Sequence, residues 1–447
     1  MTPRASACVV VLLAAAWTAS TLAAQQPRIT MHEAVARALA HHPSITAAAH
    51  ALAGARAGVS ESAGARWPQL RLEAAATRFQ EPMVVAPLHG FDPQSPPLFD
   101  RTLVQFTLGA SYTLFDGGRR GALVRRDEAV VSLREADVDA TTQALIADVV
   151  HAWLSVSAGR ALLAADDDQL GALRAERGRV QQFLAVGRAA PVEGLRVEAA
   201  MAQAEAARVA REVELARNEE LLARLTGIPV ESIRATTLAP SQVAGPILPV
   251  DELRAQIRAG NPDLARAQSR VQAAAAMTAA AGSSWWPELR LQAGYTDYSS
   301  GEGRLSGEWQ AGVRAGYALF TGGSRRAASA RAGSERHAAE ADVAAIELRL
   351  DEAVDRVVAM ARSAEARSTA LAAAVRQYEE VARIERLALD EGAGTQPDWL
   401  SAQAALLAAR SALIEARHAE VAARVELARL TGRLTPTTLM TLVEIAP

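Results

Sequence analysis

Two seven-residue blocks decide the fold of this chain: residues 112–118 read YTLFDGG, and residues 317–323 read YALFTGG. In each block an apolar–polar alternation runs into two glycines, which favours a tight passage from a strand into a helix. Neither block has the lysine or the third spaced glycine of a phosphate-binding loop. We therefore interpret both blocks as structural, and as two copies of one strand-to-helix junction.

Other blocks recur in the same order around this junction. The matching pairs are 42–43 with 261–262, 67–72 (WPQLRL) with 286–291 (WPELRL), 187–195 with 392–400, and 223–227 with 428–432 (both ARLTG). The offset is 219 for the first two pairs and 205 for the later ones, so the first copy carries an insertion of 14 residues. The insertion falls within the proline-rich segment 80–101, which reads as a loop. Ordered matches of this kind predict a duplicated structural unit.

Each unit is predicted to contain a helix, two strands and a long helical hairpin. The opening helices lie near 30–64 and 250–284 and end at Trp-Pro. The strands lie at about 67–79 and 102–115 in the first unit and about 286–298 and 308–320 in the second. The helical hairpins run over about 119–225 and about 325–430 with a coiled-coil-like seam. The expected fold class is mainly α with transmembrane β, built from two αββα repeats over 25–228 and 247–432, with a short tail at 433–447.

The N-terminus has the features of a secretory signal peptide over residues 1–24. Arg4 precedes an apolar run at 8–17 that is too short to cross a bilayer, and small residues follow at 22–24. The sole cysteine, Cys8, lies at the front of this run rather than after it. We therefore expect no lipid anchor and no disulfide in the mature chain.

Composition excludes several functions. Half of the residues are hydrophobic but only 4% are aromatic, which favours long packed helices over a thick globular core. The net charge of −3 offers no basic face for nucleic acid. The eight histidines lack carboxylate or thiolate partners at ligand spacing, so we expect no metal site, and no motif indicates a cofactor or an enzyme.

The strands indicate a membrane-spanning assembly of several copies. Each strand is about long enough to cross a bilayer, which takes about 9–11 residues, but four strands cannot close a barrel. An open edge is not tolerated in lipid, so several chains would pool their strands. Trp67, Phe115, Trp286 and Phe320 fall at one end of the hairpins, where membrane-interface aromatics are expected. A soluble periplasmic coiled-coil scaffold, with hairpins that pair with a partner sheet, is the alternative.

These blocks resemble the TolC-like outer-membrane efflux family, the channels of tripartite efflux and type I secretion systems, over essentially the whole mature chain. The resemblance implies a homotrimer whose three chains form a twelve-stranded β-barrel in outer-membrane lipid. It also implies a periplasmic α-barrel of long antiparallel helices. At the far end of this tunnel the family binds a periplasmic adaptor, or membrane fusion protein, and an inner-membrane transporter. The family uses no cofactor and has no catalytic residues.

The resemblance also assigns roles to residues at the tips of the helical hairpins. The adaptor-docking residues would be Val186, Gly187, Arg188 and Leu195 in the first tip and Glu391, Gly392, Ala393 and Leu400 in the second. Asp398 matches an acid that constricts the family's tunnel entrance, and Glu193 is its counterpart in the first unit. An acid in the first turn of a helix is also favoured by the helix dipole alone, so both interpretations stay open.

The residues that would lock a closed tunnel are not identified by the resemblance. Ser401 stands where some family members have a second acid. Gly394 and Leu389 stand where some have an arginine and a tyrosine that hold the closed state. The sequence also assigns no cargo.

Overall fold

The computed structural model describes residues 29–84, 94, 99–236, 241–243, 245–300 and 305–445. The predicted signal peptide lies outside these residues, and so does most of the predicted inserted loop. The described chain is mainly helical and contains a four-stranded antiparallel sheet. The predicted class, mainly α with some β, is therefore confirmed.

The helices and strands follow one another in the same order in the two halves of the chain. The first half contains α1 (Met31–His41), α2 (Pro43–Gly64), β1 (Gln69–Val84), β2 (Phe99–Phe115), α3 (Arg119–Ala185), α4 (Pro191–Thr226), α5 (Val230–Ala235) and β3 (Ser241–Val243). The second half contains α6 (Val250–Gly260), α7 (Pro262–Gly282), a 3-10 turn (Ser283–Trp285), β4 (Glu288–Ser300), β5 (Leu305–Gly316), α8 (Ser324–Asp390), α9 (Gln396–Leu430), α10 (Pro436–Leu442) and β6 (Val443–Ile445).

The opening helix of each half is broken once, so the prediction of one continuous helix was wrong. The breaks fall at His42 and Asn261, which are extended and each precede a proline. Proline disfavours the helical conformation of the residue before it, while it fits the first turn of the next helix. Asn261 caps that next helix, because its side-chain oxygen accepts hydrogen bonds from two backbone N–H groups.

The sheet has the order β1-β2-β4-β5, with all neighbours antiparallel. Its register places Leu72, Leu108, Tyr295 and Trp309 side by side across the four strands. Because side chains alternate along a strand, the apolar residues share one face and the polar residues share the other. The predicted alternation is confirmed. Strands β1 and β5 form the two edges of the sheet.

Strand β5 ends at Gly316, four residues earlier than the predicted end at residue 320. The equivalent end of β2 continues to Phe115 because it pairs with β4, where Phe115 faces Leu289. Residues 317–320 lie at the outer edge of the sheet and have no such neighbour within the described chain. A strand persists only where its backbone groups find partners, and this explains the early end.

The long helices α3 and α8 have 67 residues each, which makes each about 100 Å long. Each begins beside the sheet and returns as α4 or α9. The buried core is divided along this length into separate clusters, one around Val149 and Val150 and another near the tips around Leu173 and Trp399. One stretch of α3 is apolar enough to cross a membrane, but half of it is buried within the protein, as in a core helix.

Each hairpin has an ion pair at the same place along its length, with reversed polarity. In the first hairpin Arg160 of α3 contacts Glu219 of α4 at 2.9 Å. At the equivalent places Glu365 of α8 contacts Arg424 of α9 at 3.7 Å. Both arginines also donate to backbone carbonyls of the segment between the halves, Arg160 to Ile233 at 2.7 Å and Arg424 to Gly245 at 3.0 Å. The two pairs therefore fasten the connecting segment to both hairpins.

Candidate functional site

The helical hairpins end in two short turns, far from the sheet. These turns, residues 186–190 and 391–395, share one backbone geometry. Gly187 and Gly392 adopt left-handed conformations, with φ of 71° and 75°. In each turn the next residue donates its N–H to a carbonyl five residues upstream, at 2.8 Å. This arrangement satisfies the last carbonyls of a helix and stops it sharply.

The predicted adaptor-docking residues are mostly exposed at these turns. Exposed are Val186, Gly187, Arg188, Leu195, Glu391, Gly392 and Ala393. Leu400 is half-buried instead, because it packs against the apolar cluster beneath the tips. The same cluster contains Leu389, so the side chain at this position serves the core.

Asp398 is exposed in the first turn of α9. The hydroxyl of Thr395 donates to its carboxylate, and the backbone N–H of Asp398 donates to that hydroxyl at 3.4 Å. This reciprocal cap satisfies backbone and side-chain groups that the start of a helix leaves unpaired. The capping role and a pore-lining role are compatible, because a cap fixes the position of the carboxylate without covering it.

Glu193 occupies the equivalent turn of α4 but is half-buried. Its carboxylate accepts a hydrogen bond from the backbone N–H of Ala190 at 3.4 Å. Alanine has no side-chain oxygen that could accept a hydrogen bond from the backbone N–H of Glu193, as Thr395 does for Asp398. The first tip therefore holds its acid less firmly than the second tip holds Asp398.

A buried carboxylate lies just above the tips, and sequence reasoning missed it. Glu176 of α3 has 0% exposure, and its carboxylate accepts two hydrogen bonds from Arg179, at 2.7 and 2.9 Å. Arg386 of α8 contacts the same carboxylate at 3.0 Å. The Arg386 guanidinium also lies 5.6 Å from the ring centre of Trp399, in α9. Gln396 of α9 also donates to the Glu176 carboxylate at 3.4 Å, so Glu176 joins the first hairpin to both helices of the second.

A sequence signal for this carboxylate exists. The apolar seam of α3 steps from Leu173 to Val180 and leaves out one turn, and Glu176 stands in that turn. A charged residue in an apolar seam has to find a partner, because an unpaired buried charge is very costly. The identity of Arg386 as that partner, 210 positions later, has no local signature.

The sheet has two chemically different faces. Its concave face carries three arginines, Arg71, Arg290 and Arg314, among glutamine, serine and glycine residues, and encloses about 910 Å³ of open space. The opposite face exposes large apolar side chains. They are Leu70, Leu72, Phe106, Leu108, Leu291, Tyr295, Trp309 and Val313. A sheet of this kind suits water on one side and an apolar medium on the other.

The four predicted interface aromatics fall into one pair and two single residues. Phe115 and Trp286 contact each other edge to face, with ring centres 6.2 Å apart. Trp67 and Phe320 lie at opposite edges of the sheet and are 73% and 89% exposed. Trp286 also packs on Gly117, where an added Cβ would lie 2.9 Å from the Trp286 Cβ.

The chain is similar to known proteins in both sequence and fold. The sequence model of the family described as outer membrane efflux protein matches residues 34–228 and 253–433. The outer membrane efflux protein BepC of Brucella suis biovar 1 (strain 1330) is 27% identical over 140 residues. This match covers 31% of the chain and 28% of BepC, so it spans less than a third of that relative's length.

Solved structures share the fold over most of the chain. The outer membrane protein VceC of Vibrio cholerae gives a TM-score of 0.75 at 20% identity, over 90% of this chain and 95% of that one. The open state of the outer membrane channel MtrE of Neisseria gonorrhoeae gives a TM-score of 0.75 at 19% identity, over 91% of this chain and 90% of that one. The outer membrane channel CmeC of Campylobacter jejuni gives a TM-score of 0.77 at 15% identity, over 90% of this chain and 85% of that one.

Proposed function

This chain belongs to the outer membrane efflux protein family, and from that premise we propose that it forms an outer-membrane export channel. The family is one of transport proteins, so the chain is a channel component and not an enzyme. The observation that carries the proposal is the two-faced sheet with two open edges. The apolar face would contact lipid, while the concave polar face would line a water-filled pore.

Open edges require further copies of the chain, and the duplication suggests how they pair. Within one chain β2 of the first half pairs with β4 of the second. We propose that β5 pairs in the same way with β1 of a neighbouring copy, which would extend β5 through residues 317–320. Three chains with four strands each would then close a twelve-stranded barrel, as the family resemblance implies.

The proposed pairing of β5 with β1 of the next copy also brings together Trp67 and Phe320, the two interface aromatics without an aromatic partner within the described chain. Phe115 contacts Trp286 inside the chain. Phe320 and Trp67 are their counterparts, so Phe320 of one copy would contact Trp67 of the next. Both would be covered in the trimer while they remain at the membrane interface with Phe115 and Trp286.

A cross-linking experiment tests this closure. We expect the double variant Trp67→Cys, Phe320→Cys to give covalent dimers and trimers on oxidation, because the two positions would face each other across copies. The matched control is Phe115→Cys, Trp286→Cys, which should cross-link within one chain and leave monomers on denaturing gels. Cross-linking within single chains by the first pair would refute the proposed closure.

The helices would form a periplasmic tunnel whose tips bind other proteins. The exposed apolar side chains of Val186 and Leu195 suit the docking of a periplasmic adaptor, and through it of an inner-membrane transporter. We propose location in the outer membrane, and division of the chain into the units 25–228 and 247–432 with the tail 433–447. A soluble scaffold would not expose so apolar a sheet face.

We assign the tunnel entrance to two sets of residues. Asp398, together with Glu193, would place rings of carboxylates around the narrow end, where they attract cations. Glu176 and Arg386 would hold the two hairpins together in the closed state, because Gly394 and Leu389 replace the arginine and tyrosine that hold it in some family members. The support is the buried position of Glu176 and its contacts with both hairpins.

Planar-bilayer conductance tests the carboxylate ring. We expect trivalent cations added on the tunnel side to block the pore, and Asp398→Asn to weaken the block. Asparagine keeps a side-chain oxygen for Thr395 and removes the charge, so a change would report electrostatics rather than folding. Glu391→Gln, an exposed acid outside the helix, is the control. An unchanged block in Asp398→Asn would show that the gate assignment is wrong.

A further inference from the structure

The two strand-to-helix junctions differ in the charge that they present beside the membrane. Arg120 and Arg325 are equivalent residues in the first turns of α3 and α8. The position four residues earlier is an acid, Asp116, in the first junction and Thr321 in the second. Arg120 therefore has a carboxylate four residues before it, whereas Arg325 has a threonine at that position.

In the first junction the charge of Arg120 is neutralised. Its Nε atom lies 2.9 Å from the Asp116 carboxylate. Burial opposes ionisation of Asp116, but hydrogen bonds from the backbone and side chain of Arg120, and from the backbone of Gly118, outweigh it and lower its pKa. Arg120 also donates to the carbonyl of Thr113. Its donors are thus largely occupied.

In the second junction aromatic rings orient the arginine without a carboxylate, whereas Arg120 has its carboxylate in addition to the ring of Tyr112, 6.0 Å away. The Arg325 guanidinium lies 4.9 Å from the ring centre of Tyr317 and 5.6 Å from that of Trp285. No ion pair of Arg325 occurs among the residues that the structure describes. Rings hold a guanidinium by its face and leave the N–H groups at its edge available, and this edge suits bidentate binding of a phosphate.

A neighbouring copy would not supply the missing acid. Within one chain the second half is the neighbour of the first, and the carboxylate that Arg120 contacts in the described chain is its own Asp116. If copies pack as the halves do, residues 64–67 of a neighbouring copy would face this junction, as Ser283 and Trp286 face Gly117, and none of these four residues is acidic.

The surroundings of Arg325 point to an amphiphilic anion rather than a small one. Leu319 is 91% exposed, and Trp285 and Val313 are also exposed. Val313 belongs to the apolar face that would contact lipid, and Tyr317 would join this face when β5 extends as proposed. An anion with acyl chains would cover these side chains, whereas a free phosphate would leave them in water.

We propose that Arg325, held by Trp285 and Tyr317, binds the phosphate of an anionic phospholipid in the membrane leaflet on the tunnel side. Each chain binds one such lipid at the second junction and none at the first. This inference rests on the proposed function, because it requires the sheet to lie in a bilayer.

Counting bound lipids by native mass spectrometry tests the site. The full-length assembly in neutral detergent is titrated with phosphatidylglycerol, with phosphatidylcholine and with inorganic phosphate. We expect one phosphatidylglycerol per chain, bound about fivefold more weakly by Arg325→Gln, because one arginine near an anionic lipid contributes a factor of this size. Thr321→Asp supplies the acid of the first junction and should weaken binding equally.

Matched controls separate this site from general charge effects. Thr321→Asn has a side chain of similar size to aspartate without its charge, and Arg326→Gln removes an exposed neighbouring charge; both should bind like the parent protein. Equal weakening by Arg326→Gln would overturn the site, and so would equal binding of inorganic phosphate or phosphatidylcholine. Insertion into phosphatidylcholine vesicles is measured in parallel. Failure to insert refutes the channel, whereas insertion without the phosphatidylglycerol preference refutes only the lipid site.

Discussion

The two helical hairpins match in length but differ in where their charges lie. Helices α3 and α8 both have 67 residues, and α4 and α9 have 36 and 35. Near the tip, the first hairpin buries Glu176, whereas the equivalent residue of the second is Val381, which is exposed. At mid-length both hairpins have an ion pair, with the acid and the base exchanged.

This difference shows what the duplicated architecture leaves free to vary. Apolar seam positions fix the lengths and the packing of the helices, so both copies retain them. Charges are tolerated inside this packing only with partners, and the partners differ between the copies. Each charged site therefore lies where a hairpin contacts another part of the chain. Glu176 contacts the other hairpin, and the mid-length arginines contact the connecting segment.

The largest effect is expected from Glu176→Gln, which removes the charge that joins the hairpins. Arg179 and Arg386 would be left without their shared carboxylate, at a local cost of about 3–5 kcal/mol. We expect faster hydrogen exchange in the last turns of α3 and a higher pore conductance. Glu198→Gln, an exposed acid of α4, is the control. Unchanged exchange and conductance would show that the hairpins are held together elsewhere.

A smaller effect is expected from giving the first hairpin the polarity of the second. Glu219→Arg alone brings like charges together beside Arg160 and should cost about 3 kcal/mol. Adding Arg160→Glu restores an ion pair and should recover about 1–2 kcal/mol. Recovery stays partial because Arg160 also donates to the carbonyl of Ile233, and because Glu219 also pairs with Arg234 of the connecting segment at 3.0 Å.

Thermal unfolding of the two variants measures this recovery. Complete recovery would mean that the hydrogen bonds to the connecting segment contribute nothing. No recovery would mean that the two residues do not act as a pair.

The smallest effect concerns His418 of α9, whose counterpart in the first hairpin is Val213. Burial, with a smaller contribution from His151, lowers the pKa of His418 below its ordinary 6.5. A lowered folded-state pKa means that the unfolded chain binds the proton more readily. The neutral imidazole therefore contributes stability above pH 6.5, and this contribution is lost as the pH falls towards the folded-state pKa.

The melting temperature should therefore fall less steeply between pH 7.5 and 5.5 in His418→Gln than in the parent protein. His50→Gln, on α2, is the control and should leave the slope unchanged. A steeper slope in His418→Gln would contradict the assignment.

Much of the architecture could be predicted because its causes are local. The two glycines after Phe115 and Phe320 indicate a turn wherever they occur, and alternation in β1 and β2 assigns residues to faces. Proline at 43 and 262 indicates that a helix begins there, and α2 and α7 do begin at these residues. The early end of β5 could not be predicted from its sequence, because it follows from a missing neighbour.

The candidate site divides in the same way. Glycine at 187 and 392 indicated the two tip turns locally, whereas the gate role of Asp398 came from the family resemblance and stays a prediction. The sequence by itself thus determined the duplicated order of elements, the strand faces and the positions of the tips. Only the tertiary structure decided that Glu176 contacts Arg386, because the two residues are 210 positions apart. Their contact depends on how two separate hairpins pack, and no local pattern of residues encodes that packing.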